Sequence, residues 1–379
     1  MGDEGGSGLP PHPLDRVWFH PSELSAYMAA APPRRGRPGW AVLAMAAVAG
    51  AVITVVALAA AGALGGGGTT TAVTRAAVAP GITGLVDPVE RIVALGGASV
   101  VAVRVATDDQ SGAQVTGSGV AVGHSRVLTA ASLVATGGTV QVTSGTGRVF
   151  VGEVAGVDPD TDLALVRVAR ADLPVARLGS TEDLRVGQSV ITLGSAGGNH
   201  HWTSYGVIAA LDRLVGGPGT VMLAGLIETD VDTAATAAGG ALLDEGGQVI
   251  GILSGAAPGR AVPIDVARDV ADQIAATGRA RHGWLGIGAS DAGDHEGGGA
   301  RIETIAPGSP AESAGLGAGD VITTIGTDRI TDTADLMAAV LRHKPGDPVP
   351  IVAWRGDQKL RKQVSLGERQ PTPARMGTP

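Results

Sequence analysis

The chain has 379 residues, enough for two folded units with appendages. With 60 glycines and only 2% aromatic residues, any core is built from Val, Ile, Leu and Ala, a composition that suits short strands and tight turns. A net charge of −8 argues against a nucleic-acid surface, and the lack of cysteine excludes disulfides, thiolate catalysis and thiolate-ligated zinc.

Residues 1–39 are polar and rich in Pro and Gly, a composition expected to stay disordered and here placed in the cytoplasm. Within them Asp15–Leu24, DRVWFHPSEL, carries two adjacent aromatics and reads as a short binding motif. It resembles the D-R-x-W-x-H-P-S-E-L head of membrane-anchored actinobacterial proteins. Ala41–Leu64 is an uncharged run mostly of Ala, Val and Leu. As a helix it would be roughly 36 Å long, enough for a hydrocarbon layer of about 30 Å. Trp40 sits at its start, and Arg34, Arg35 and Arg37 precede it, while the first basic residue beyond it is Arg75. The positive-inside rule therefore predicts one transmembrane helix over 40–64, with the N-terminus cytoplasmic and the folded domains extracytoplasmic. A cleaved signal peptide, ending near Ala59–Ala63, is the alternative. Residues 65–85 read as a flexible linker.

From 86 to 278 short apolar runs alternate with Gly, Asp and Ser turns. Predicted strands are Ser99–Val105, Val115–Val122, Arg126–Thr129, Thr139–Thr143, Arg148–Val157 and Leu163–Val168. A second set follows at Ser189–Leu193, Tyr205–Leu211, Leu226–Thr229, Gly240–Leu243, Val249–Leu253 and Ala261–Ile264. A helix over Asp265–Thr277 presents Val266, Val270 and Ile274 on one stripe. Residues 282–367 form a second predicted unit with a helix over Asp332–His343, and 368–379 a disordered tail. His200 and His201 are expected in a solvent-exposed loop, Gly194–His201. The acids of Asp291–Glu296 read as a solvated loop without calcium spacing, and no metal or cofactor is expected.

Three segments carry a resemblance. Ala238-Gly239-Gly240-Ala241-Leu242, a turn, and Val249–Leu253 resemble the nucleophile segment of HtrA/Deg-type serine proteases, G-N-S-G-G-A-L followed by V-I-G-I. Thr236, Ala237 and Ala238 stand where that family has Gly, Asn and Ser. Val127–Val134 resembles V-L-T-A-A-H-V-V, with Ser132 in place of the histidine. Asp158–Leu165 resembles D-x-x-T-D-L-A-L and keeps the acid as Asp162. The resemblance implies a mainly β fold: a trypsin-like double six-stranded barrel followed by a PDZ domain, preceded by the transmembrane helix.

Alanine has no oxygen to attack a carbonyl, and the serine mechanism needs hydroxyl, base and orienting carboxylate together. Thr236 also stands where the oxyanion-hole backbone favours glycine. These residues lead to the expectation of a non-enzyme, an extracytoplasmic pseudoprotease acting as envelope sensor, adaptor or chaperone-like binder. The alternative is an active serine-type endopeptidase with a non-standard site, for instance one using Thr233 or Thr236.

In the second unit Trp284-Leu285-Gly286-Ile287 resembles the carboxylate-binding loop of PDZ domains, followed by Ala306–Ala311, Ala314-Gly315-Leu316 and Gly319–Ile322. The resemblance implies a peptide C-terminus added as a strand, with Leu336 and Val340 on the facing helix. Expected partners are protein C-termini or unfolded envelope proteins. The resemblance also raises a homotrimer.

Overall fold

The computed structural model describes residues 88–106, 114–197, 200–216, 222–233, 237–293 and 297–368. The predicted span Ala41–Leu64, the Asp15–Leu24 motif and Thr236 lie outside them. Among the described residues no helix is long and apolar enough to cross a membrane.

A short helix, α1 (Pro88–Gly97), leads into six antiparallel strands. These are β1 (Val100–Ala106), β2 (Gln114–Gly123), β3 (Arg126–Ala130), β4 (Thr139–Thr143), β5 (Val149–Asp158) and β6 (Leu163–Val168). They close in the order β1-β2-β3-β6-β5-β4. One turn of helix, α2 (Ala131–Val134), follows β3. The second set is β7 (Ser189–Gly197), β8 (His200–Val215), β9 (Leu223–Thr229), β10 (Ala241–Leu243), β11 (Val249–Leu253) and β12 (Arg260–Pro263). It closes as β10-β11-β12-β9-β8-β7. Both barrels match the expected architecture.

Strands β1, β3 and β6 of the first barrel are buried on both faces almost throughout, because both are covered, whereas β5 leaves Val149 and Val151 exposed. Val101, Val103 and Val105 of β1 point into the barrel with Val127, Val140, Val142 and Val166. Leu128, Leu163 and Leu165 point the other way and pack with second-barrel residues and with α3 (Ile264–Thr277). That helix buries Ile264, Ala267, Val270, Ala271 and Ile274, which is helical spacing. Val266, predicted on the stripe, is only partly buried, because the true stripe starts one residue before the predicted helix. Gly278 ends α3 in a left-handed conformation, its N–H donating to the Ile274 carbonyl at 2.8 Å.

The region Gly194–His201 differs from expectation. Its described residues belong to β7 and β8, with Gly194 opposite Trp202 and Ser195 opposite His201. A Cβ on Gly194 would lie 2.2 Å from the Trp202 ring, so the glycine makes room for the indole. His201 is half-buried beside Gly97 and Gly145, not exposed in a loop.

The remaining strands are β13 (Gly283–Trp284), β14 (Ile287–Asp291), β15 (Ala300–Ile305), β16 (Val321–Ile325), β17 (Asp328–Arg329), β18 (Pro348–Arg355), β19 (Gln358–Ser365) and β20 (Gly367–Glu368). They form a sheet in the order β14-β15-β16-β18-β19, with β17 on β16, and a small β13–β20 pair. Two helices, α4 (Pro310–Ser313) and α5 (Thr333–Leu341), flank the sheet. Leu285, Ile302, Ile322, Ile325, Leu336, Ile351 and Val364 make its core. Asp291 is exposed but ends β14 and does not lie in a loop, and it accepts from the Thr333 N–H (2.9 Å) and hydroxyl (2.6 Å), tying that strand to α5, while Asp294 and Glu296 lie outside the described residues. These two bonds hold its carboxyl below the usual range.

Candidate functional sites: an acid-centred cleft and a peptide groove

Asp162 organises the cleft between the barrels. It follows the turn Asp158–Thr161 and sits at φ +56°, a left-handed conformation that Asp tolerates better than most residues. Its backbone carbonyl accepts from the Ala131 N–H at 2.9 Å, so the start of α2 is fastened to it. Its buried carboxylate accepts from the Ser132 N–H (2.8 Å), the Ser132 hydroxyl (3.3 Å), the Ser254 hydroxyl (2.7 Å), and the N–H groups of Gly255 (2.9 Å) and Ala256 (3.0 Å). The first two donors belong to the first barrel and the last three follow β11 of the second. One carboxylate therefore ties the barrels together.

Ala238 reaches the same place. The Ser118 N–H donates to its carbonyl at 2.8 Å, and the Gly239 N–H donates to Leu253 at 2.8 Å. Gly239 has φ +79°, and a Cβ there would stand 2.2 Å from the Ser118 carbonyl oxygen. The barrels touch backbone to backbone here, which only glycine permits. A Cβ placed on Gly255 would meet both Ser132 Oγ (2.5 Å) and Ala238 Cβ (2.9 Å). Ser132, Asp162 and Ala238 are thus brought to one point. The Ser132 side chain is exposed, whereas Asp162 is 4% exposed. Sequence reasoning placed these three residues but missed Ser254, whose only signal was its place after a buried strand.

The second site is a groove of about 310 Å³. The loop Trp284–Ile287 forms one end, β14 one wall, and Leu336, Met337 and Val340 of α5 the other. β14 is an edge strand of its sheet, so its free side offers backbone groups to an added strand. Leu336 and Val340 line the groove and also pack against the core below. Gly286 has φ +80°, and a Cβ there would lie 2.3 Å from Ser309 Cβ. The loop is clamped from both sides: Ala306 N–H donates to Gly286 (2.8 Å), Ala311 N–H to Leu285 (3.1 Å), and Gly283 N–H to His343 (2.8 Å). Met222 and Ala224 of the second barrel and Asp160 of the first also line the groove, a wall that the sequence did not disclose. Among the described residues no group of side chains is arranged to hold a metal ion.

Residues 117–252 match the trypsin-like peptidase domain and residues 283–366 the PDZ domain. A probable periplasmic serine endoprotease DegP-like of Halomonas elongata is 35% identical over 238 residues, covering 59% of this chain and 50% of the relative. The serine protease PepD of Mycobacterium tuberculosis is 34% identical over 248 residues, covering 59% and 52%. The chain thus spans about half the length of the curated relatives it matches. Among solved structures, the HtrA-type protease AlgW with a decapeptide has a TM-score of 0.58 at 26% identity, covering 76% of this chain and 100% of that one. The same protease with a tripeptide gives 0.61 at 27%, covering 75% and 98%.

These comparisons correct the expectation of a non-enzyme, since the relatives are named serine endoproteases. That expectation weighed three altered positions, Ser132 for His, Ala238 for Ser and Thr236 for Gly, and overlooked that a hydroxyl and a carboxylate still meet at the cleft. The chain carries a trypsin-like peptidase domain followed by a PDZ domain, and in sequence and fold it is similar to the HtrA/DegP-type serine endoproteases.

Proposed function

We propose that this chain is a membrane-anchored, extracytoplasmic HtrA-type serine endopeptidase of envelope protein quality control, with a non-standard active site and a groove that captures protein C-termini. The observation that carries the reading is the groove beside β14, ended by the clamped loop Trp284–Ile287 and walled by Leu336 and Val340. An extended peptide adds to β14, its apolar last side chain enters the pocket, and its carboxylate takes N–H groups of the loop. Relatives of this fold are found with a decapeptide and a tripeptide, which supports the same use here. The predicted span at Ala41–Leu64 holds the folded units at the outer membrane face, where captured clients are unfolded envelope proteins.

Hydrolysis needs an oxygen at the cleft. Ala238 offers none, and Ser132 Oγ, exposed and 3.3 Å from Asp162, is the one this arrangement presents. Asp162 is the carboxylate that takes its proton. Four further donors already share the two oxygens of that carboxylate, and turnover is expected to be slow. The Thr233 hydroxyl instead accepts from the Gly259 N–H at 2.9 Å.

Two measurements test the proposal. Calorimetric titration with an apolar-ended peptide should show binding that weakens by about 10- to 150-fold when the terminus is amidated, the loss of one charge-assisted bond of about 1.5–3 kcal/mol. Equal affinities would overturn the carboxylate loop. A fluorophosphonate probe should label the full chain and not Ser132→Ala. With no labelling and no casein turnover in folded protein, the endopeptidase assignment fails.

A further inference from the structure

A second buried acid in the turn before Asp162 is bound to a histidine from the other end of the molecule. His282 Nε2 lies 2.8 Å from Asp158 Oδ2, across 124 residues of chain, with His282 7% and Asp158 4% exposed. Asp158 also accepts from the Thr161 hydroxyl at 2.5 Å, so its oxygen is fixed within the turn that ends at Asp162. His282 is two residues before Trp284, and both line the peptide groove. The contact therefore joins the start of the carboxylate loop to the turn that carries the cleft acid.

The ring nitrogen meets the Asp158 carboxylate, and both groups are buried. An imidazolium in this contact neutralises the buried carboxylate, whereas a neutral imidazole leaves its charge uncompensated. We propose that His282 is a positioning residue that acts as an imidazolium latch, holding the groove loop onto the Asp158–Asp162 turn while its ring is charged and releasing it as the ring loses its proton. The proposal rests on the peptide-capture reading for its consequence and on the buried His282–Asp158 contact for its existence.

The surroundings leave the latch to this ring. Burial opposes its charge, but Asp158, then Asp160, and the Leu341 carbonyl hold its pKa above 6.5. The other charged groups nearby have their own partners. Arg281 is bound to Glu368, Arg342 to Asp212 and Asp328, and His343 lies 3.9 Å from Asp347. A group whose folded pKa is raised contributes fully below its unfolded value of 6.5 and loses that contribution as pH rises through the folded value. Each unit of elevation weights the latched state about tenfold.

The test uses the full chain. Nitrogen-resolved NMR of the histidine rings, with the His282 signal identified by its loss in His282→Arg, should show both ring nitrogens protonated at pH 6.5 and a titration above that value. A ring already neutral at pH 6.5 overturns the latch. Melting temperature and affinity for an apolar-ended peptide should both fall between pH 6 and 9 in the unmodified chain. In His282→Arg both should stay level, because arginine keeps its charge. His282→Gln and Asp158→Asn should resemble, already at pH 6, the unmodified chain at pH 9. Parallel profiles in the unmodified chain and His282→Arg also overturn it. Should either neutral variant fail to fold, the ring titration and the arginine profile still decide. Should no peptide bind at any pH, the capture reading fails while the titration and melting profiles still judge the latch.

Discussion

Removing the Asp162 carboxylate is the most informative perturbation of the cleft. Asp162→Ala strips an acceptor from five donors, but they are not equally affected. The Ser132 hydroxyl is exposed and 3.3 Å away, and Ala256 is exposed, so both turn to water. Ser254 is buried and the Ser132 N–H lies under the start of α2, so these two, with Gly255 in part, lose the most. At about 1.5–3 kcal/mol for each bond to a charged group, two unreplaced bonds give about 3–6 kcal/mol. Relief of the desolvated charge acts in the opposite sense, so about 3–4 kcal/mol is the expected net loss. For a folded unit of 150–250 residues that is a fall in Tm of about 6–16 °C. Asp162→Asn keeps one acceptor oxygen but turns an amide toward a donor, and about half that fall is expected. Calorimetry on the three proteins at neutral pH provides the comparison. A Tm for Asp162→Ala within about 2 °C of the parent would refute the view that this acid ties the barrels together.

Other outcomes follow from particular positions. Gly286→Ala should abolish peptide binding, since φ +80° and a 2.3 Å approach to Ser309 leave no room for a methyl group; unchanged affinity in a titration would contradict the loop geometry. Ala238→Ser alone should leave casein turnover nearly unchanged, whereas Ser132→His with Ala238→Ser supplies hydroxyl and base together and should raise it by about 100- to 10,000-fold. A single Ala238→Ser variant as active as the double one would show that another base already serves the cleft. Burial opposes ionisation of Asp320, yet Arg355 and the Gly317 N–H hold its pKa below 3.8. Its contribution is therefore present above 3.8 and lost as pH falls through the lower folded value, and Arg355→Ala should move acid unfolding to higher pH in a circular-dichroism titration.

Much of the fold was legible because its signals are local. Thr139–Thr143, Leu163–Val168 and Val249–Leu253 are bounded by turn residues and occur as read, since alternation and a terminating turn need only a few neighbours. Ser132, Asp162 and Ala238 were found because each sits in a motif beside its own strand. The sequence could not say what those residues would do together. Ser254 and Gly255 reach Asp162 from more than ninety positions away, and their bonds turn a lone acid into a joint between barrels. His201 read as a loop residue because nothing local marks a β-hairpin that continues past glycines; its pairing with Ser195 is a tertiary fact. Met222 and Ala224 are ordinary apolar residues in the sequence and become a wall of the peptide groove only when α5 packs beside β9. The same holds for His282: nothing in the sequence marks it, and only the fold buries it against Asp158. Spacing along the chain determines which strands form, whereas the charge and role of each side chain are set by what the folded barrels bring within 3 Å of it.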